Sequence, residues 1–135
     1  LIQNSGIPAI ILRLPGLFGS PRTDGFLYNA ARAIVKGNEF QIDVRPRIWS
    51  ALHVDDAAEA MIRAADLSGP TQILNVGYPG QFSLDRALQE LRDGEVSTDV
   101  SGFEMDLTRM RESIGELPGT WAGRITALLK EAADA

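Results

Sequence analysis

The run Ala9-Ile10-Ile11-Leu12-Arg13-Leu14, cut off by Pro15-Gly16, constrains the fold more than any other segment. Apolar residues at consecutive positions, rather than at every second one, fit a strand covered on both faces, as in a parallel sheet. A similar run, Gln72 to Val76, is closed by Gly77-Tyr78-Pro79-Gly80. A helical pattern separates the two, and strand, helix and parallel strand imply a right-handed crossover. The expected class is therefore α/β: the edge of a doubly wound sheet. Residues 16–54 form an insertion beyond the carboxyl end of a strand, which is where such sheets bind ligands.

Local signals place the other elements. Phe18 to Gly25 is rich in turn residues and reads as a loop, and Phe26 to Lys36 carries apolar residues at helical spacing before Gly37-Asn38. Phe40-Gln41-Ile42 alternates and predicts a short strand, and residues 48–54 read as extended. Asp56-Ala57-Ala58-Glu59 fits a capping box, with Asp56 as N-cap of a helix reaching about Asp66. Ser83 caps a helix from Leu84 to about Leu91. Asp106 opens a short helix ending at Gly115, and Trp121 to Ala133 reads as a terminal helix. The opening Leu1-Ile2-Gln3-Asn4-Ser5-Gly6 reads as the end of a helix with Gly6 as its left-handed stop, as expected of a piece of a longer protein.

Composition narrows the function classes. With 135 residues the expectation is one partial domain spanning 1–135. The net charge of -5 argues against a chain that wraps nucleic acid or lies on anionic lipid, because both need a basic face. No apolar run approaches the ~20 residues of a membrane span, and no secretory signal is visible. The absence of cysteine removes disulfides, thiolate metal sites and cysteine nucleophiles, and a reducing cytoplasm is the expected compartment. One histidine and no cysteine leave no metal constellation.

Five motifs in order give a more specific reading. Ile10-Ile11-Leu12-Arg13-Leu14-Pro15-Gly16-Leu17-Phe18-Gly19 resembles the strand-and-loop motif of the extended short-chain dehydrogenases/reductases, the NAD(P)-dependent epimerase/dehydratase family. His53-Val54-Asp55-Asp56-Ala57-Ala58-Glu59-Ala60 is similar to that family's strand running into a capped helix. Leu74-Asn75-Val76-Gly77, Ser83-Leu84, and Asp106-Leu107-Thr108-Arg109 with Gly115 and Pro118 are similar to its later segments. The resemblance implies a Rossmann-type parallel sheet edge plus a small mixed α/β substrate-binding lobe. It also implies hydride chemistry with NAD or NADP in a full-length parent, acting on a nucleotide sugar or a related hydroxy/keto compound.

Two of the family's features do not match. No glycine cluster here follows a strand with the full three-glycine spacing that cradles a dinucleotide pyrophosphate. The family's tyrosine base with a lysine four residues on has no counterpart, since Tyr28 is followed at that spacing by Arg32, after the Arg-Leu-Pro-Gly motif rather than before it. The chain is therefore expected to lack catalysis and tight dinucleotide binding by itself. Two rival readings on the same scaffold are a dinucleotide-sensing regulator and a free-standing interaction module.

By the same resemblance, Pro15, Gly16, Leu17 and Phe18 would line the nicotinamide end of the cofactor, against the alternative of a turn that merely ends a strand. Arg45 or Arg47 would grip a substrate phosphate, for which a guanidinium offers a bidentate fork. Phe26 and Leu27 stand where epimerases carry an asparagine-containing substrate contact, and that asparagine is absent. Phe40 and Ile42 would pack on a nucleobase or in the core. Arg92 falls in a segment similar to a second phosphate-binding arginine. His53 and Tyr28 read as structural, Trp49 and Trp121 as core or helix-packing residues. Self-association is expected, because a buried-type strand at Ala9–Leu14 would lack one of its two neighbours.

Overall fold

The computed structural model describes residues 4–42, 48–94 and 102–135. Strands β1 (Ile10–Arg13) and β4 (Gln72–Asn75) pair in parallel with Leu12 opposite Leu74, so the expected crossover is present. Two further strands, β2 (Gly16–Phe18) and β3 (Ala51–His53), form a second parallel pair with Phe18 opposite His53. The alternative of a mere turn at Pro15–Phe18 gives way to a strand from Gly16 onward. A short antiparallel pair joins β5 (Gln81–Phe82) to β6 (Phe103–Glu104).

Helices α1 (Phe26–Val35), α3 (Leu84–Asp93) and α5 (Trp121–Asp134) pack on one another. Their buried positions recur at helical spacing, as in Leu84, Ala87, Leu88 and Leu91 of α3. Ser83 caps α3 as expected, its hydroxyl accepting from the Arg86 N–H at 3.1 Å, and Gly94 closes it in the left-handed region. Helix α4 (Thr108–Ser113) follows Asp106, whose carboxylate accepts from the Thr108 N–H. One expectation fails. Residues 40–42 form no strand; Phe40 instead packs edge-on against Phe26, with ring centroids 5.3 Å apart. The helix end read into the first residues falls largely on 1–3, outside the described residues, although Gly6 does take the left-handed conformation.

The capping box is also overturned. Helix α2 spans Val54–Ala65 and its N-cap is His53, whose Nδ1 accepts from the Asp55 N–H at 3.2 Å. Asp56 therefore lies inside the first turn, and Glu59 pairs with Arg63 at 2.8 Å instead of reaching back. The Asp56 side chain is fully buried. It accepts from Arg124 Nε and a terminal guanidinium nitrogen at 2.9 and 2.8 Å, from the Gly119 N–H at 3.0 Å, and from the Tyr78 hydroxyl. A side chain on Gly119 would overlap both the carboxylate and the guanidinium, so glycine is required there. The Tyr78 oxygen in turn accepts from the His53 N–H at 3.2 Å.

This network sets the protonation of its members. Burial by itself would raise the Asp56 pKa, but the hydrogen bonds from Arg124, Tyr78 and Gly119 outweigh it and hold the carboxyl below its usual 3.8. Burial, reinforced by the Arg124 charge, lowers His53 from its usual 6.5, while Asp55, Asp56 and Glu131 pull weakly the other way. Burial and the bond to Asp56 push the Tyr78 phenol upward, so it stays a donor. A lowered folded-state pKa contributes stability that is present above the unfolded value and lost as pH falls through the folded one. The fold should therefore lose stability first below about pH 6.5 as His53 is forced to charge, and again below the normal carboxyl range. Urea midpoints of wild type and His53→Asn, which keeps a capping side chain without titrating, should converge as pH falls from 7.5 to 5. A constant difference between them would show that His53 does not contribute to this dependence.

Candidate functional site

A cleft of about 170 Å³ opens where β2, the start of α1 and the approach to β3 meet. Gly16, Leu17 and Phe18 of β2 line it, as do Phe26 and Leu27 of α1. Residues assigned separately to cofactor and substrate thus share one cleft, while Pro15 is not among its lining residues. Trp49 and Ser50 complete the lining, Trp49 meeting Phe26 edge-on with ring centroids 6.2 Å apart, and the exposed pair Arg22 and Asp24 borders it.

The local chain accounts for this arrangement. Gly19 has φ 106, and a Cβ there would collide with the His53 imidazole, so the backbone leaving β2 runs directly over that ring. Phe18 is buried, meeting His53 edge-on with centroids 5.4 Å apart and Trp121 at 5.9 Å. Because Phe18 lies opposite His53 in the β2–β3 register, the Asp56 network ends at the cleft wall. Arg22 donates from a terminal nitrogen to the Leu17 carbonyl at 3.1 Å and pairs through Nε with Asp24. Both side chains are about half exposed or more, so they form a polar rim over an aromatic interior.

The remaining predicted residues fall elsewhere. Phe40, Ile42 and Arg92 line a wider groove of about 960 Å³ between the segment after α1 and the outer face of α3. Phe40 and Ile42 are partly buried and pack against the core, while Arg92 is exposed in the last turn of α3. The ring pair Phe26–Phe40 connects the groove to the smaller cleft. Arg45 and Arg47 lie outside the described residues. Tyr28 is a buried α1 residue, in keeping with a structural role, and His53 holds the N-cap bond expected of a structural histidine. Among the described residues, no cluster of three or more His, Cys, Asp or Glu could hold a metal ion, and no helix is long and apolar enough to cross a membrane.

Arg22, Asp24 and Trp49 escaped the sequence reading. The Arg22-Thr23-Asp24 charge pair in a turn was a usable signal, whereas nothing local marks Trp49 as a wall residue. Arg124 and Tyr78 were missed for a similar reason, since their partner Asp56 is 68 and 22 positions away.

No protein-family model matches the chain, and no curated protein matches its sequence. Solved structures do match. UDP-N-acetylglucosamine 4-epimerase of Bacillus cereus gives a TM-score of 0.73 at 15% identity, over 96% of this chain and 48% of that one. UDP-glucose 4-epimerase of Thermotoga maritima, solved with UDP-glucose, gives 0.71 at 19% identity, over 94% and 46%. A variant of UDP-glucuronic acid 4-epimerase of Bacillus cereus, solved with NAD and a fluorinated substrate analogue, gives 0.69 at 17% identity, over 97% and 47%. The chain therefore spans about half the length of the structures it matches. Its fold is the Rossmann-type α/β fold that the UDP-sugar 4-epimerases also have over this half of their length.

Proposed function

We propose that the chain is the substrate-side portion of an NAD(P)-dependent epimerase, dehydratase or reductase acting on a nucleotide sugar. The observation that carries this reading is the shared cleft of Gly16, Leu17, Phe18, Phe26 and Leu27, built on a fold that the solved UDP-sugar epimerases also have. Its chemistry suits a ligand with an apolar ring face laid against the touching rings of Phe26 and Trp49, whose centroids are 6.2 Å apart, and a polar group toward the Arg22–Asp24 pair. In a complete enzyme, NAD or NADP would supply hydride transfer, and Gly16 to Phe18 would present backbone and side-chain surface to its nicotinamide end. The chain alone would orient substrate and turn nothing over, since no tyrosine–lysine pair accompanies the cleft.

Titration followed by NMR tests this directly. UDP-glucose should shift the resonances of Leu17, Phe26 and Trp49, with weak affinity, whereas NAD and NADP should produce no saturable change. Tight, stoichiometric NAD binding would contradict the reading, as would UDP-glucose shifts confined to residues outside the cleft or the absence of any shift.

The same reading includes an association surface. Among the described residues β1 pairs only with β4, leaving its other edge open, and Ile10, Leu12 and Leu14 face an apolar groove of about 520 Å³ with Met61 and Leu67. Met61 and Ile62 are 57% and 63% exposed, and Arg13 is the one charge on the strand. An unpaired parallel strand with apolar flanks recruits other chains. Sedimentation velocity at micromolar concentration should show species larger than a monomer, dissociating when Leu12 is replaced by Lys. A single monomeric boundary for the wild-type chain would overturn this part.

A further inference from the structure

We propose that Trp121 is a positioning residue for the ligand cleft, held at its angle by the buried carboxylate of Glu90; the part concerning ligand affinity rests on the nucleotide-sugar reading above.

Trp121 does not line the cleft, but two residues that do rest on it. Phe18 meets its ring edge-on at 5.9 Å and 76°, and Trp49 at 6.1 Å and 79°. Both line the cleft, one from β2 and one from the segment leading into its neighbour β3. Phe82 of β5 also meets the same indole edge-on at 5.1 Å, so rings from three segments rest on it. Edge-to-face pairs depend on ring orientation, so tilting the indole would displace Phe18 and Trp49 together.

Packing fixes where the indole sits, but its tilt also has a polar determinant. The indole Nε1–H donates to one oxygen of Glu90, whose residue exposure is 1%. Arg86 donates to the other oxygen at 2.7 Å and to the Gln81 carbonyl, which fixes the carboxylate in turn. A carboxylate this deeply buried is costly unless paired, and a charge-assisted bond to an indole is strongly directional. An apolar residue at position 90 would fill the same space without specifying the tilt of the ring.

Two variants and two readouts test the assignment. Trp121→Phe keeps an aromatic body and loses the donor, and it leaves Trp49 as the sole indole. Glu90→Leu removes the acceptor while retaining volume. In both, UDP-glucose measured by calorimetry should bind roughly 2- to 12-fold more weakly, the equivalent of one misplaced edge-to-face contact. The emission of Trp49 in Trp121→Phe should move to longer wavelength as its ring leaves the wall. Lower melting temperatures with unchanged UDP-glucose affinity and unchanged Trp49 emission would reduce Trp121 to a packing residue and overturn the proposal. Should Trp121→Phe fail to fold, the Glu90→Leu affinity and near-ultraviolet circular dichroism decide alone. Failure of the wild-type chain to bind UDP-glucose would refute the functional reading instead, and Trp49 emission would then decide the positioning role.

Discussion

The structure depends on one buried carboxylate. Asp56 sits where α2 leaves β3, and its donors come from the Tyr78 turn after β4, from Gly119, and from Arg124 in α5. A carboxylate taken out of water costs several kcal/mol unless its lone pairs are satisfied, and here each oxygen has at least two donors. The cost and the compensation tie together segments far apart in sequence. Among the described residues each sheet has two strands, a size that is marginal without packing from elsewhere, so the position of α5 matters to the parallel pairs. Through Tyr78 the same carboxylate fixes the His53 backbone, and through His53 the exit of β2 over Gly19.

The candidate cleft follows from that arrangement. Phe18 contributes to it because β2 is in register with β3, and β3 is pinned by the Tyr78 bond at its last residue. Trp49 contributes because Trp121, one turn before Arg124 on α5, stands behind it. Two polar networks, one around Asp56 and one around Glu90, thus hold the same helix against the same wall. The lining they create is aromatic, bordered by the charged Arg22–Asp24 pair.

Much of this was legible in the sequence where the cause is local. Apolar runs marked β1 and β4, Ser83 marked the start of α3, and helical spacing marked α1 and α5 to within a few residues. The failures have physical reasons. Asp56 and Glu59 carry the residue types of a capping box, but the cap is made three residues earlier by an imidazole, a side chain that ordinary cap preferences do not favour. Phe40 and Ile42 alternate as strand residues do, yet no partner strand is available and ring packing decides their place. The parallel pairing of Gly16–Phe18 could not be seen because Pro15-Gly16 before it and the turn residues after it leave only a three-residue strand with no pattern of its own. The likeness to a family placed Gly16 to Phe18 and Phe26–Leu27 by motif order, and the structure brings them together. It could not place Trp121 or Arg124, whose contacts are set entirely by tertiary packing.

A double-mutant cycle on Asp56→Ala and Arg124→Ala, followed by urea unfolding, tests the dependence on Asp56 most directly. Each single change strands a buried charge or its partner, while the double change removes both, so the two effects should be strongly non-additive, with a coupling of about 2–3 kcal/mol. Additive losses would mean that the carboxylate and the guanidinium are accommodated independently, and that the fold does not hang on their pairing.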